Sequence, residues 1–148
     1  MAETTVHVRS AHDASFSIGW VGKHSLTIDR PESEAGSGVG FNAGELLLLA
    51  LGACYANDLQ HEATVRGISL HGVRVVVDCD WGGNPLRAQE IRVSARIEAQ
   101  ASEDEIMALA EAVDSGGKVL NSLRHPAEVT LADCEAVVVE IESEGAGV

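Results

Sequence analysis

The sequence has few of the residues that mark specialised classes of protein. Only 3% of its 148 residues are aromatic, and three are proline. Its three cysteines, Cys54, Cys79 and Cys134, are an odd number at wide spacing, which argues against a disulfide framework and against a zinc ribbon. At least one thiol should therefore be free, and we expect neither a metal nor a cofactor.

Basic residues are scarce as well. Ten Lys and Arg residues stand against 23 Asp and Glu residues, which gives a formal net charge of −13 and a pI near 4.7. The basic residues are scattered along the chain, and a surface of this sign repels phosphate backbones and anionic lipid. We therefore expect no nucleic-acid partner and no role at a membrane surface.

Long apolar runs are missing too. The longest, Leu46 to Cys54, is far shorter than the roughly 20 apolar residues that a membrane span needs. The first ten residues, MAETTVHVRS, have neither the basic nor the apolar region of a secretory signal. We expect no membrane span and a cytoplasmic location.

The length predicts a single domain over residues 1–148, with a frayed, disordered tail from about 143 to 148. Alternating apolar and polar residues predict a meander of three strands near the N-terminus. A loop rich in Gly, Ser and Glu, from Pro31 to Asn42, then forms a connector or a lid. The predicted strands are Thr4 to Ser10, Ser15 to Val21 and His24 to Asp29, with turns at His12-Asp13 and Gly22-Lys23.

The most informative segment is a predicted helix from Ala43 to Arg66, which Gly67 ends. It is apolar on every face from Leu46 to Ala56, so this half should be fully buried. One small sheet gives too little cover for such a helix. Dimerisation is one physical solution, with the helix lying between the sheets of two chains.

The remainder of the chain completes an α+β domain. Two strand-like runs joined by a Gly- and Pro-containing turn predict a hairpin. Ser102 and Glu105 are spaced as a capping box, which predicts the start of a second helix. Gly116-Gly117 ends that helix. The predicted elements are strands Ile68 to Trp81 and Leu86 to Gln100, a turn at Gly82-Gly83-Asn84-Pro85, a short helix from Lys118 to Arg124 and a terminal strand from Ala127 to Glu142.

Cys54 is the candidate for chemistry, because it lies where the long helix changes from apolar to polar. A reactive thiol needs a cation, a hydrogen-bond donor or a helix N-terminus to favour the thiolate. Asp58 at i+4 would oppose a second negative charge, and His61 at i+7 could counter it. The alternative is that Cys54 is a small buried hydrophobe. For Cys79 and Cys134, in strand-like runs, packing is the favoured explanation.

Two motifs resemble the OsmC/Ohr superfamily. The run from Gly40 to Cys54, GFNAGELLLLALGAC, is similar to its Gly-x-Asn-Pro-x-Glu-Leu-like loop, which enters a central helix carrying the active cysteine. The run from Gly116 to Leu123, GGKVLNSL, followed by AEVTL, is similar to its second motif, Gly-Cys-Pro-Val-Ser-x-x-Leu, which leads into a final strand. The order of elements agrees from about Val6 to Ile141.

This resemblance implies an OsmC-like fold: an intertwined homodimer whose central helices are wrapped by antiparallel sheets, with active sites at the subunit interface. It also implies a peroxidase that reduces organic hydroperoxides. In such enzymes the helix cysteine attacks the peroxide as thiolate and becomes a sulfenic acid, which the second cysteine resolves as a disulfide. An Arg and a Glu organise the thiolate. Cys54 falls on the attacking position.

The chain departs from that pattern at three positions. Gly117 replaces the second cysteine, so no intramolecular disulfide can form there. Gly44 replaces the Ohr-type glutamate, although Glu45 is adjacent, about 100° further round a helix. For the Ohr-type arginine of the first hairpin turn, His12 is the nearest stand-in and Arg30 is another candidate. The candidate catalytic residues are therefore Cys54, Glu45, His12 and Arg30.

Three hypotheses for function follow. The first is an OsmC-like peroxidase that works through Cys54 and is reduced by an external thiol. The second keeps the fold without catalysis and binds a small apolar ligand at the dimer interface. The third is a hot-dog-type acyl-thioester hydrolase, because a long helix wrapped by sheet with acidic residues fits that outline, although basic residues for an anionic coenzyme are few.

Overall fold

The computed structural model describes residues 3–10 and 12–139, which form an α+β fold of five strands and three α-helices. Their order confirms the predicted fold class. The elements are β1 (His7–Ser10), β2 (Ser17–Val21), β3 (His24–Ile28), a 3-10 turn (Glu32–Glu34), α1 (Ala43–Arg66), β4 (Ser69–Gly82), β5 (Arg87–Gln100), α2 (Glu103–Gly116) and α3 (Lys118–Arg124).

The first sheet is the predicted antiparallel meander, with β2 between β1 and β3. Its turns lie at His12-Asp13 and Gly22-Lys23, as expected from the sequence. Asp13 and Gly22 have positive φ, 57° and 55°. Glycine adopts this backbone conformation freely and aspartate tolerates it, which explains why these residue types stand at the two turns.

One buried carboxylate, that of Asp29, anchors the loop between β3 and α1. Asp29 is 4% exposed and accepts hydrogen bonds of 2.8–3.2 Å from the backbone N–H groups of Arg30, Ser37 and Val39 and from Ser37 Oγ. Burial would raise the pKa of Asp29, but the hydrogen bonds to the charged form outweigh burial and lower the pKa to about 2. The loop therefore depends on a charged Asp29.

Two glycines let this loop pass close to the end of β3. A Cβ on Gly36 would overlap the carbonyl of Arg30, and a Cβ on Gly40 would overlap that of Thr27. Backbone this close to backbone leaves no room for a side chain at either position. The glycine content of the loop is thus explained by close packing at the entrance to α1.

Helix α1 has the predicted bounds, Ala43 to Arg66. Asn42 caps its N-terminus, and Gly67, with φ of 69°, ends it. One stripe of side chains at i, i+4 spacing is buried against the rest of the chain. The members of this stripe are Leu51, Tyr55, Leu59 and Ala63.

The predicted hairpin covers that stripe. Strands β4 and β5 pair antiparallel, and the turn between them lies at 83–86. Alternate residues of the hairpin pack against the core, as the period of two predicts: Val73, Val75, Val77, Ile91, Val93 and Ile97.

Helices α2 and α3 close the other side of the core. Ser102 and Glu105 form the predicted capping box, and Leu109 and Val113 are buried on α2. Gly117 separates the two helices, and Leu120 of α3 is buried with them. The core therefore lies between α1, the hairpin and these two short helices.

The prediction that the first half of α1 is buried on every side is wrong for the single chain. Leu47 and Leu49 are 37% and 51% exposed. The physical reason is geometric, because the hairpin and the two short helices contact one side of α1 and leave the opposite side uncovered.

The predicted terminal strand, Ala127 to Glu142, is wrong in its described part. Residues 126–139 form neither helix nor strand, and Val129, Leu131 and Val138 are 94%, 86% and 92% exposed. An extended segment becomes a strand only when a neighbour satisfies its N–H and C=O groups, and within residues 3–10 and 12–139 no strand pairs with it. Residues 140–142 and the predicted tail at 143–148 lie outside the described residues.

Across the part of the chain that the structure describes, no helix is long and apolar enough to cross a membrane.

Asp29 predicts a specific pH dependence of stability. Because its pKa is about 2 in the folded protein against an ordinary 3.8, the stabilisation is complete above about pH 5 and is lost as the pH falls through 4 towards 2. Asn at position 29 carries no charge, so D29N should have a lower free energy of unfolding than the wild type at neutral pH. Its free energy of unfolding should also fall less than that of the wild type as the pH is lowered to 2.

Urea unfolding at several pH values measures the effect. The matched control is Asp78→Asn, since Asp78 is exposed on β4 and forms no hydrogen bond with other described side chains. Equal behaviour of the two variants between pH 4 and pH 2 would contradict the role of Asp29.

Candidate functional site

Cys54 lies in the middle of α1 and faces Asp58. Its Sγ donates a hydrogen bond to Asp58 Oδ2 at 3.4 Å. The i, i+4 spacing places the two side chains on one face of the helix, and both are half-buried. Cys54 also packs against the hydrophobic core. It thus stands at the boundary between the core and a polar surface, as its sequence position predicts.

The acceptor of the thiol proton is a carboxylate, and no cation takes part. Among the described residues, no Lys, Arg or His side chain hydrogen-bonds to the Cys54 sulfur. A thiolate here would face a like charge at 3.4 Å, whereas a thiol can donate its proton to that charge. From the sequence, Asp58 was expected to oppose a thiolate at Cys54, not to accept a hydrogen bond from the thiol. The i+4 spacing was the signal that could have identified it as a hydrogen-bond partner.

Asp58 also lines a cleft of about 370 Å³ between α1, α2 and the start of α3. His61 and Glu62 of α1 and Lys118 of α3 contribute the other charged or titratable side chains of this cleft. Glu62 forms a 2.8 Å ion pair with Arg66. The carboxylate of Asp58 therefore contacts the half-buried thiol of Cys54 and also reaches a space that a small molecule can enter.

Gly117 lies beside the same carboxylate. A Cβ built on Gly117 would be 3.6 Å from Asp58 Oδ2 and 2.7 Å from Leu120 Cδ1. The position where a second cysteine was expected is thus adjacent to the partner of Cys54. In this chain glycine leaves that side of the carboxylate without a side chain.

Gly44, at the position of the expected glutamate, is covered by an aromatic ring. A Cβ there would lie 3.2 Å from Trp81 Cζ2 and 3.2 Å from Asn42 Oδ1. This spacing is tighter than ordinary van der Waals contact, so a longer side chain requires Trp81 to move. No sequence pattern predicts this contact, because Trp81 is 37 residues away along the chain.

Glu45 has a local structural role at the start of α1. Its carboxylate accepts a hydrogen bond from the Asn42 N–H at 2.9 Å, and its own N–H donates to Asn42 Oδ1 at 3.0 Å. This reciprocal pair is a capping box. Glu45 also lines a larger, mostly apolar cleft of about 680 Å³ on the uncovered side of α1, with Phe41, Leu48 and Leu49.

The two candidate basic residues do not hydrogen-bond to Cys54 within one chain. His12 lies on the exposed first turn, where its Nδ1 pairs with Asp13 at 2.8 Å. Arg30 is exposed, and its backbone N–H donates to Asp29. The described part of a single chain thus brings Cys54 together with Asp58 but with none of Glu45, His12 and Arg30.

The other two cysteines differ from Cys54 in their surroundings. Cys79 is half-buried on β4 opposite Ile91, which is consistent with the packing role expected for it. Cys134 is exposed in the segment after α3. The packing role predicted for Cys134 is wrong for the single chain, because the strand that would have packed it does not form there.

No group of three or more His, Cys, Asp or Glu residues in the described ranges is arranged to hold a metal ion.

Comparison with known proteins identifies a related family. A family model described as OsmC-like protein matches residues 35–132, a range that includes Cys54, Asp58 and Gly117. A search of curated proteins gave no match.

Solved structures share the fold. An OsmC-like protein from Mycoplasma pneumoniae has a TM-score of 0.73 at 22% identity, covering 84% of this chain and 89% of that chain. An organic hydroperoxide resistance protein from Elizabethkingia anophelis gives 0.67 at 15% identity, covering 85% and 91%. The organic hydroperoxide resistance protein OsmC from Legionella pneumophila gives 0.59 at 19% identity, covering 84% and 91%. The predicted fold resemblance is confirmed.

The capping box predicts how the start of α1 responds to mutation. Asn42→Ala removes the side-chain acceptor and should lower the free energy of unfolding by about 1 kcal/mol. Glu45→Gln should have a much smaller effect, because glutamine also completes a capping box. Any loss of thiol reactivity in Glu45→Gln would then report on chemistry and not on folding.

Urea unfolding compares both variants with Asn57→Ala, an exposed position within the same helix. A similar loss of stability in Asn57→Ala and Asn42→Ala would argue against the cap.

Proposed function

Because the chain belongs to the family of OsmC-like proteins, we propose that it reduces organic hydroperoxides through the thiol of Cys54. The observation that carries this proposal is the place of Cys54. It is half-buried in the long helix that follows the signature loop, and it hydrogen-bonds to a side chain that lines a cleft. Two structures with the same fold are named organic hydroperoxide resistance proteins.

The reaction begins when the Cys54 sulfur attacks the distal oxygen of the hydroperoxide. An S–O bond forms, the O–O bond breaks, and the products are the Cys54 sulfenic acid and an alcohol. Gly117 supplies no second thiol, so an external thiol condenses with the sulfenic acid and releases water. A further thiol then breaks the mixed disulfide and restores Cys54.

The working unit we propose is an intertwined homodimer. Three apolar surfaces of the single chain support it: the uncovered side of α1, the meander, and the segment after α3. Each exposes large apolar side chains, among them Leu49, Trp20 and Leu131. A second copy placed against α1 would cover such surfaces in both chains at once.

In the same dimer, the remaining candidate residues could come close to Cys54 from the partner chain. Within one chain Glu45, His12 and Arg30 do not hydrogen-bond to its sulfur. Since the resemblance places the active site at the subunit interface, the partner chain is the expected source of a basic group, with Arg30 or His12 as the candidates. Glu45 remains a candidate at the entrance to α1.

The apolar cleft beside α1 is separate from the cleft that Asp58 lines, and neither Cys54 nor Asp58 is among its walls. Its walls include Phe41, Leu48 and Leu49, which suit a small apolar molecule. The same cleft supports a second candidate function, non-catalytic binding of a small apolar ligand. This function is favoured because no cationic side chain among the described residues hydrogen-bonds to Cys54. No feature of the described residues supports acyl-thioester hydrolysis.

The dimer is tested by light scattering after gel filtration. We expect a molar mass of twice 15.5 kDa. Leu49→Asp puts a charge on the uncovered side of α1 and should shift the protein towards monomer, whereas Leu86→Asp, in the exposed hairpin turn, should not. Circular dichroism verifies that each variant is folded. A wild-type mass of 15.5 kDa would contradict the proposal.

The peroxidase is tested by mixing reduced protein with an organic hydroperoxide and following thiol loss by mass spectrometry. Cys54 should be oxidised stoichiometrically and well faster than a free thiol at the same pH. Cys54→Ser should abolish hydroperoxide consumption, while Cys79→Ser and Cys134→Ser should retain it. Oxidation no faster than a free thiol would reject the peroxidase and favour ligand binding.

A further inference from the structure

We propose that Asp58 is the proton-transfer residue of Cys54, accepting the thiol proton during attack and returning it to the leaving oxygen. This inference rests on the proposed function and deepens it. Asp58 lies outside both signature motifs and is not one of the candidate catalytic residues predicted from the sequence.

The geometry satisfies the first requirement, that the base contact the proton it removes. Asp58 Oδ2 lies 3.4 Å from Cys54 Sγ, which is hydrogen-bond distance for sulfur. The two residues are one turn apart on a continuous α-helix, so backbone hydrogen bonding fixes their relative position. Within the described ranges Asp58 forms no ion pair, which leaves its carboxylate free to take up a proton.

The second requirement is that the carboxylate reach the leaving group. Asp58 lines the cleft between α1, α2 and α3, so it faces both the sulfur and a space open to substrate. Gly117 keeps this side accessible, because a side chain there would begin 3.6 Å from Oδ2. The other charged or titratable groups facing the cleft are His61 and Glu62 on α1 and Lys118 on α3, whereas α2 contributes Ala112, Val113 and Gly116.

In the proposed step, one proton and two electrons move among Cys54, Asp58 and the peroxide. The sulfur lone pair forms a bond to the distal peroxide oxygen, and the thiol proton passes to Asp58 Oδ2. The O–O bond breaks and its electron pair stays on the alkoxide oxygen. Asp58 then gives the proton to this alkoxide and leaves an alcohol and the Cys54 sulfenic acid. Cysteine is oxidised by two electrons and the peroxide is reduced by two.

The test compares two reactions of the full-length protein that differ in their need for a proton. Cumene hydroperoxide releases an alkoxide, which needs a proton, whereas iodoacetamide releases iodide, which does not. The variants are Asp58→Asn, which keeps an oxygen acceptor for the thiol, and Asp78→Asn as the control, since Asp78 is exposed on β4 and does not line the cleft. Rate constants at Cys54 are measured by mass spectrometry over a range of pH.

In Asp58→Asn we expect hydroperoxide oxidation to slow by about 10²-fold, the typical contribution of general acid–base catalysis, while alkylation is not slowed. Its oxidation rate should also depend more steeply on pH than that of the wild type. Asp78→Asn should match the wild type in both reactions.

The outcomes separate the two proposals. A wild-type thiol no faster with hydroperoxide than a free thiol overturns the proposed function, and the role of Asp58 with it. A fast wild type with an equally fast Asp58→Asn overturns only the role of Asp58. Equal slowing of oxidation and alkylation shows a purely structural effect and overturns the proton-transfer role as well.

Discussion

The structure depends on one constraint: α1 is apolar around its whole circumference in its first half, and one chain covers only one side of it. The hairpin and the two short helices bury Leu51 and Tyr55, while Leu47 and Leu49 stay exposed. The segment after α3, residues 126–139, likewise pairs with no strand in the part of the chain that the structure describes. Hydrophobic burial is the main favourable term in folding, so these two surfaces together explain why we propose a second copy of the chain.

The same helix determines the chemistry of the site. Cys54 lies where the buried stripe of α1 meets its polar half, and Asp58 follows one turn later. At two of the three positions where the chain departs from the family pattern, packing explains the glycine that is present. Trp81 covers Gly44, and Gly117 adjoins the Asp58 carboxylate. The site thus pairs a thiol with a carboxylate in place of a second thiol, which is why an external thiol has to complete the proposed cycle.

Local signals made much of the fold predictable. Asn42, Gly67 and Ser102 mark helix ends because caps act within a few residues, and alternation identified the hairpin. The prediction of a terminal strand was wrong, because alternating apolar and polar residues show that a segment suits a sheet but do not show which strand it pairs with. The i+4 spacing predicts that Asp58 lies beside Cys54. It does not predict whether the carboxylate repels a thiolate or accepts a hydrogen bond from a thiol, since that depends on the protonation state of Cys54.

The most direct measurement is the infrared S–H stretching band of Cys54, isolated as the difference between the wild type and Cys54→Ser. If the thiol donates its proton to Asp58, the band is present at neutral pH and lies at lower wavenumber than in Asp58→Ala, where that acceptor is gone. A band at the same wavenumber in both proteins, or no S–H band in the wild type, would contradict the hydrogen bond on which the proposed proton transfer rests.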